Sequence, residues 1–197
     1  MLVLASGSPR RRQILNAAGF SFVLRPAQVD ESPVNGETPQ EHVRRLAKLK
    51  AESVAATPNE IVLAADTIVV VDGEILGKPK NTVDARNMLR RLSGRDHLVI
   101  TGICLREADC CVLDAETTRV WFIPLTELEI DEYVATGEPM DKAGAYAAQG
   151  VGSRFIERIE GCYFNVVGLP VALVYKYLRQ RGVADLLSGS KDMPVVQ

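Results

Sequence analysis

An α/β fold is what this sequence predicts, from three features. The first is an apolar run, Leu2 to Ala5, that passes through Ser6-Gly7-Ser8-Pro9 into a helical stretch closed by Gly19. The second is a pair of apolar runs, Ile61 to Ala65 and Ile68 to Val71, with the length and β-branched content of buried strands. The third is two helix starts of capping-box form, Thr38 with Glu41 and Thr126 with Glu129, interleaved with further strand-like runs. Strands and helices that alternate along a chain pack as a sheet with covering helices.

Taken in order, Leu2 to Ala5 is a short buried strand, and the helix after it runs from about Arg10 to Ala18. Phe20 to Leu24 is a second strand, leading into a polar loop rich in Pro, Asp, Glu and Gly that reaches Glu37 and is a candidate site element. Pro39 suits the first helical position behind the Thr38 cap, and that helix extends to about Ala56. Asp66-Thr67 interrupts the central apolar runs, Asp72-Gly73 is a hairpin signal before Glu74 to Leu76, and Thr82 caps a helix to about Leu92. His97 to Leu105 and Val112 to Phe122 form a long antiparallel pair, and the helix opened by Thr126 ends near Gly137. Asp141 to Gly152 is Gly-rich and irregular, and Arg154 to Ile159 and Phe164 to Val167 are strands. The last helix follows Pro170 to about Arg181, with Gly182 as its stop. Residues 1–182 are expected to form one domain, and 183–197 a flexible tail of Ser, Gly, Lys, Asp and Pro.

Composition excludes several classes. With 23 Lys plus Arg against 25 Asp plus Glu, the formal charge of -2 gives no overall attraction to nucleic acid or an anionic membrane, so phosphate binding must come from local clustering. No apolar run approaches the roughly 20 residues of a membrane span, and Met1 to Ala5 is too short for a signal peptide, which makes the cytosol the expectation. Four cysteines without a CxxC pair and two distant histidines, His42 and His97, speak against zinc and against a disulfide framework.

Three places break structural rules. Arg10, Arg11 and Arg12 fall in the first turn of a helix, where the macrodipole is already positive; either they are a solvated, screened charge run or an anion docks there and removes the conflict. Asp66 lies inside Ile-Val-Leu-Ala-Ala-Asp-Thr-Ile-Val-Val-Val, where a carboxylate costs several kcal/mol unless paired or metal-bound. Ending one buried run, it suits a metal ligand or a general base, and otherwise a structural aspartate at a strand break. Lys50 shares the apolar stripe of Val43, Leu46, Ala47, Ala51 and Val54, so the helix aims an ammonium inward unless the side chain snorkels to water. Lys78, in Gly77-Lys78-Pro79, is either a plain loop lysine or a phosphate contact. In the acidic loop, Asp30 and Glu31 are either solvated loop acids, the default, or one of them joins Asp66 around a hard divalent cation. No GxxxxGK[ST] or GxGxxG motif is present, which sets aside the P-loop and Rossmann routes to phosphate binding.

The segments Ala5-Ser6-Gly7-Ser8-Pro9-Arg10-Arg11, Val29-Asp30-Glu31, Leu46 to Ala51, Ala64-Ala65-Asp66-Thr67, Gly77-Lys78-Pro79, Leu92-Ser93-Gly94, Glu138 to Tyr146, Gln149-Gly150 and Val167-Gly168-Leu169-Pro170 stand in one order across residues 2 to 180. In these the sequence resembles the Maf family of nucleotide pyrophosphatases. The resemblance implies a mixed, elongated sheet flanked by helices, related to the inosine triphosphate pyrophosphatases, with two lobes around a cleft and a homodimer. It implies hydrolysis of non-preferred nucleotides with a divalent metal, Mg²⁺ or Mn²⁺. By motif, Asp66 is the proton acceptor and a metal partner, Glu31 its acidic companion, and Ser6, Arg11, Lys50 and Lys78 are triphosphate contacts. Arg10, Thr67 and Gln149 match the branch that resembles dTTP/UTP pyrophosphatases, whereas the 7-methyl-GTP branch tends to have Trp, Gln and Glu there. Ala148 departs from the Ile often found before that glutamine.

On this reading Asp66 deprotonates a water for attack at the α-phosphorus, the cationic groups stabilise phosphate charge, and Gln149 with Thr67 reads the base edge. A nucleotide-binding regulator of cell division without turnover is the rival, separated by multiple-turnover release of pyrophosphate. A nucleic-acid-binding domain is a third reading, resting only on Arg10 to Arg12.

Overall fold

The computed structural model of the protein describes residues 1–108 and 110–182; the expected tail at 183–197 lies outside them. One mixed sheet organises the chain. The strands β1 (Leu2–Leu4) and β2 (Phe22–Leu24) run parallel to each other and to β3 (Ile61–Val71). On its other edge β3 pairs antiparallel with β5 (Asp96–Glu107), which continues to β6 (Cys110–Phe122) and β7 (Ile156–Glu160). The short β4 (Glu74–Leu76) folds back on β3 through Asp72 and Gly73, both at positive φ as a tight hairpin turn needs.

The placement of β1 and β4 decides where a site can form. Both lie on the same edge of β3, β1 against Ile61 to Leu63 and β4 against Val69 to Val71. Among the described residues no strand pairs on that side between them, so the sheet is split there, and Asp66 stands in the middle of the split. β3 itself is continuous. The expectation of two strands broken at Asp66-Thr67 is corrected, because β5 pairs unbroken along both halves, with Asp66 opposite Gly102.

The helix α2 (Pro39–Glu52), started by the Thr38 capping box, covers one face of β3 and β5. It packs Val43, Ala47 and Ala51 on Val62, Ala64, Ile68 and Ile100. On the opposite face are two separate cores. The helices α1 (Pro9–Ala17) and α6 (Val171–Gln180) enclose Leu63, Ala65, Ile103 and Leu105, while α3 (Thr82–Leu92) and α4 (Glu127–Ala135) enclose Val69, Val71, Val99 and Phe122. Thr67 falls between them, so the two lobes expected around a cleft are realised as two cores on one sheet.

Four boundaries differ from expectation. Asn81, not Thr82, caps α3 by accepting from Asp84 N. The helix α2 stops at Glu52 rather than near Ala56, and β2 begins at Phe22 rather than Phe20. The segment Phe164 to Val167 is not a strand but part of a single helical turn, α5 (Tyr163–Val167). A short apolar run carries too little periodicity to separate the two, and buried Asn165 decides it by donating to Val99 O and Thr118 Oγ1 at 2.9 Å each. The irregular stretch from 141 to 152 contains short 3-10 turns, with Gly144 and Ala145 both at positive φ.

Two stability predictions follow from the packing. A Cβ added at Gly102 would lie 2.4 Å from Val43 O, so glycine there allows α2 to approach the sheet. Gly102→Ala is expected to destabilise by about 1–3 kcal/mol through overpacking, read as a lower denaturation midpoint at unchanged slope. His97 is 2% exposed, and burial lowers its pKa to about 4, although nearby Asp96 opposes the shift. It bonds Tyr146 Oη at 2.8 Å through Nε2, while Nδ1 is buried without a partner among the described residues. The folded state therefore resists a proton that the unfolded state accepts from about pH 6.5 downward, so stability falls as pH drops from 6.5 towards 4. About 2 kcal/mol of loss between pH 7 and pH 5 is expected in equilibrium denaturation from this group, and His97→Phe should remove that slope.

Candidate active site

A cavity of about 590 Å³ opens at the split in the sheet. Its lining includes every residue singled out by motif: Ser6, Arg10, Arg11, Glu31, Lys50, Asp66, Thr67, Lys78 and Gln149. Adjacent strand residues point to opposite faces, yet with no strand among the described residues between β1 and β4 the side chains of Asp66 and Thr67 reach the same space.

Asp66 is 7% exposed and faces α2, where it meets Lys50. Lys50 Nζ donates to Asp66 Oδ1 at 2.6 Å and forms a second ion pair of 2.6 Å with Glu31 Oε1. The inward ammonium is thus no snorkelling side chain, since it is 9% exposed and ends on two carboxylates. Burial pushes the Glu31 carboxyl up, but the hydrogen bond and charge of Lys50, with Lys78 and Arg11 beyond it, hold it below the ordinary range. One buried carboxylate and one half-exposed one therefore converge on a single cation at the cavity wall.

On the other face Arg11 is fixed from three sides. Its Nε donates to Gly168 O at 2.8 Å, one terminal nitrogen to Ser6 Oγ at 3.1 Å and the other to Thr67 Oγ1 at 3.1 Å. Loss of water around the guanidinium lowers its pKa, and the charge of Asp66 opposes that. Thr67 Oγ1 also bonds Thr101 Oγ1 at 2.9 Å, and Thr101 donates to Asn165 O at 3.1 Å. Ser6 Oγ accepts from Ser8 N at 3.2 Å, and no side chain caps the start of α1. The first turn of α1 holds no acidic residue, so its free N–H groups and Arg11 present one electropositive rim.

Arg10 reaches across the cavity to Asp141, 3.3 Å away, and Asp141 also pairs with Lys142 Nζ at 2.5 Å. Lys78 and Gln149 are exposed side chains on the rim. Two expectations are narrowed. Asp30 does not line the cavity but accepts from Ser32 N at 2.9 Å and Ser32 Oγ at 2.6 Å, so of the two loop acids only Glu31 joins Asp66. Arg12 is exposed and outside the lining, which leaves two of the three arginines at the site.

Lining residues with polar side chains that the sequence reading gave no role are His42, Asp141, Lys142 and Tyr146. His42 was detectable, because His42, Leu46 and Lys50 follow one another at four-residue steps on α2 and so share a face. Asp141 and Lys142 are a charged pair inside a Gly-rich irregular stretch, a weaker signal of the same kind.

No group of three or more His, Cys, Asp or Glu side chains among the described residues is arranged to hold a metal ion. Glu31 and Asp66 still fit a divalent cation of the kind held by one or two carboxylates plus substrate phosphates, since both already point an oxygen at one positive charge.

Residues 1–181 match the family model described as Maf-like protein. The chain belongs to this family. It is 50% identical over 182 residues to a dTTP/UTP pyrophosphatase of Syntrophomonas wolfei, covering 91% of this chain and 96% of that protein. A dTTP/UTP pyrophosphatase of Koribacter versatilis is also 50% identical, over 183 residues, 92% of this chain and 95% of that one. Among solved structures the Staphylococcus aureus Ham1 protein shares the fold of this Maf-like chain, with a TM-score of 0.50 at 16% identity over 91% of this chain and 98% of that one.

Proposed function

We propose that this chain hydrolyses nucleoside triphosphates, dTTP and UTP foremost, to the monophosphate and pyrophosphate, with Asp66 as proton acceptor. The observation that carries the assignment of roles is the arrangement at the split sheet: one buried carboxylate facing a cavity rimmed by Lys50, Lys78, Arg10 and Arg11. The substrate class follows from relatives at half identity over nearly the whole chain that carry the name dTTP/UTP pyrophosphatase.

The chemistry is a single displacement. A water oxygen bonds to the α-phosphorus, its proton passes to Asp66, and the bond between the α-phosphorus and the bridging oxygen breaks to release pyrophosphate. Lys50 orients the Asp66 carboxylate, and with Arg11, Ser6 and Lys78 it offsets charge that grows on the phosphate oxygens. Glu31 and Asp66 would hold Mg²⁺ or Mn²⁺, which when bound neutralises triphosphate charge. On the family resemblance Arg10, Thr67 and Gln149 would set the base preference; all three line the cavity, and Thr67, expected to read the base edge beside Gln149, accepts from Arg11 and would act through it. On the family resemblance we extend the reading to a homodimer in the cytosol. No helix among the described residues is long and apolar enough to cross a membrane.

Product analysis with dTTP, UTP, 7-methyl-GTP and dATP, in Mg²⁺ or Mn²⁺, tests this. The expected products are dTMP and UMP with equimolar pyrophosphate. Preference for 7-methyl-GTP would overturn the pyrimidine assignment. Nucleotide binding without turnover would replace the enzyme by a regulator.

A further inference from the structure

Gln149 faces the cavity from an exposed position, so its direction follows the backbone that carries it. That backbone is held from outside the cavity by two side chains. Glu138 Oε2 accepts from Val151 N at 3.0 Å, and Glu138 Oε1 accepts from Gly152 N at 3.0 Å and from Tyr133 Oη at 2.8 Å. Tyr133 Oη in turn accepts from Ala147 N at 3.1 Å. Backbone groups on both sides of Gln149 therefore end on one carboxylate and phenol pair.

The pair is itself rigid. Tyr133 is fully buried and meets Phe155 edge to face at 5.1 Å. Burial pushes the Glu138 carboxyl up, but the N–H groups of Gly152 and Val151 with the Tyr133 hydroxyl outweigh that and keep it ionised as an acceptor. Gly150 completes the fit, since a Cβ there would stand 2.4 Å from Glu138 Oε2 and its φ is 149°. The same turn also reaches Arg10, through Asp141, and Lys142 Nζ donates to Glu138 O at 2.8 Å.

We propose that Glu138 and Tyr133 are positioning residues for base discrimination, fixing the 147–152 backbone so that Gln149 meets the edge of a pyrimidine. This rests on the reading of Gln149 given above. A site that reads hydrogen bonds discriminates only as sharply as its donors and acceptors are held. Glu138→Gln would turn an N–H donor toward one of the two backbone N–H groups, and Tyr133→Phe would free Ala147 N while keeping the ring in place.

The test is steady-state hydrolysis of dTTP and dATP with Mg²⁺ by the full chain, unmutated and as Glu138→Gln, Tyr133→Phe, Gln149→Ala and the Glu138→Gln/Gln149→Ala double variant. Each single variant is expected to lower the dTTP over dATP ratio of kcat/KM by about tenfold, through a higher KM for dTTP with kcat held within about threefold. The double variant should discriminate no worse than Gln149→Ala alone. If Glu138→Gln and Tyr133→Phe slow both nucleotides equally while Gln149→Ala lowers the ratio, the pair merely supports the fold and the proposal fails alone. If Gln149→Ala leaves the ratio unchanged, the reading of Gln149 fails and takes the proposal with it. Should Glu138→Gln not fold, Tyr133→Phe carries the same comparison.

Discussion

Asp66→Asn is expected to lower kcat for dTTP by about 10³-fold or more while the fold persists. Asparagine matches aspartate in size and can still accept from Lys50 Nζ, which sits 2.6 Å from Oδ1, so the packing of α2 on β3 is kept. It cannot take a proton from water. Stability should change by no more than about 1 kcal/mol, since the Lys50 ammonium still donates, now to a neutral amide oxygen, and retains the charge of Glu31. Single-turnover kinetics together with a urea titration check both halves. Activity within tenfold of the unmutated chain would move the proton acceptor elsewhere in the cavity.

Lys50→Met carries the other large effect, and it is twofold. The stem of methionine fills the apolar stripe of α2, but Asp66, with its side chain 10% exposed, loses its ion pair and keeps a buried charge. Breaking one side of such a pair costs about 3–5 kcal/mol, more than the pair itself contributes. Catalysis should fall at least about 100-fold as well, because a cation beside the phosphates and the group orienting Asp66 are both gone. The two effects separate in the Lys50→Met/Asp66→Asn variant, which should regain most of the lost stability and none of the activity. Equal instability of the single and double variants would show that the loss came from α2 packing rather than from the stranded carboxylate.

Those two residues are also where the sequence was most informative. A charged group in an apolar strand and another in an apolar helical stripe each violate patterning, and each violation resolves only if the two meet, as they do across α2 and β3. The helix caps at Thr38 and Thr126 were legible for a local reason, since both partners of a capping box lie within three residues. What could not be read was long-range. That Asp66 lies inside an unbroken strand depends on the pairing of β3 with β5, and that it opens to a cavity depends on β1 and β4 stopping short of one another on the same edge. The role of Thr67 as an acceptor for Arg11 is likewise set by a contact 56 residues away along the chain. The helix at Tyr163–Val167 was hidden because five residues are too few for periodicity to register.

Hydrolysis of dTTP in water enriched in ¹⁸O tests the central claim most directly, because it reports which phosphorus the water attacks. Mass spectrometry should find one ¹⁸O in dTMP and none in pyrophosphate. Label in the pyrophosphate, or release of inorganic phosphate with dTDP, would contradict the displacement at the α-phosphorus on which the roles of Asp66, Lys50 and Arg11 are built.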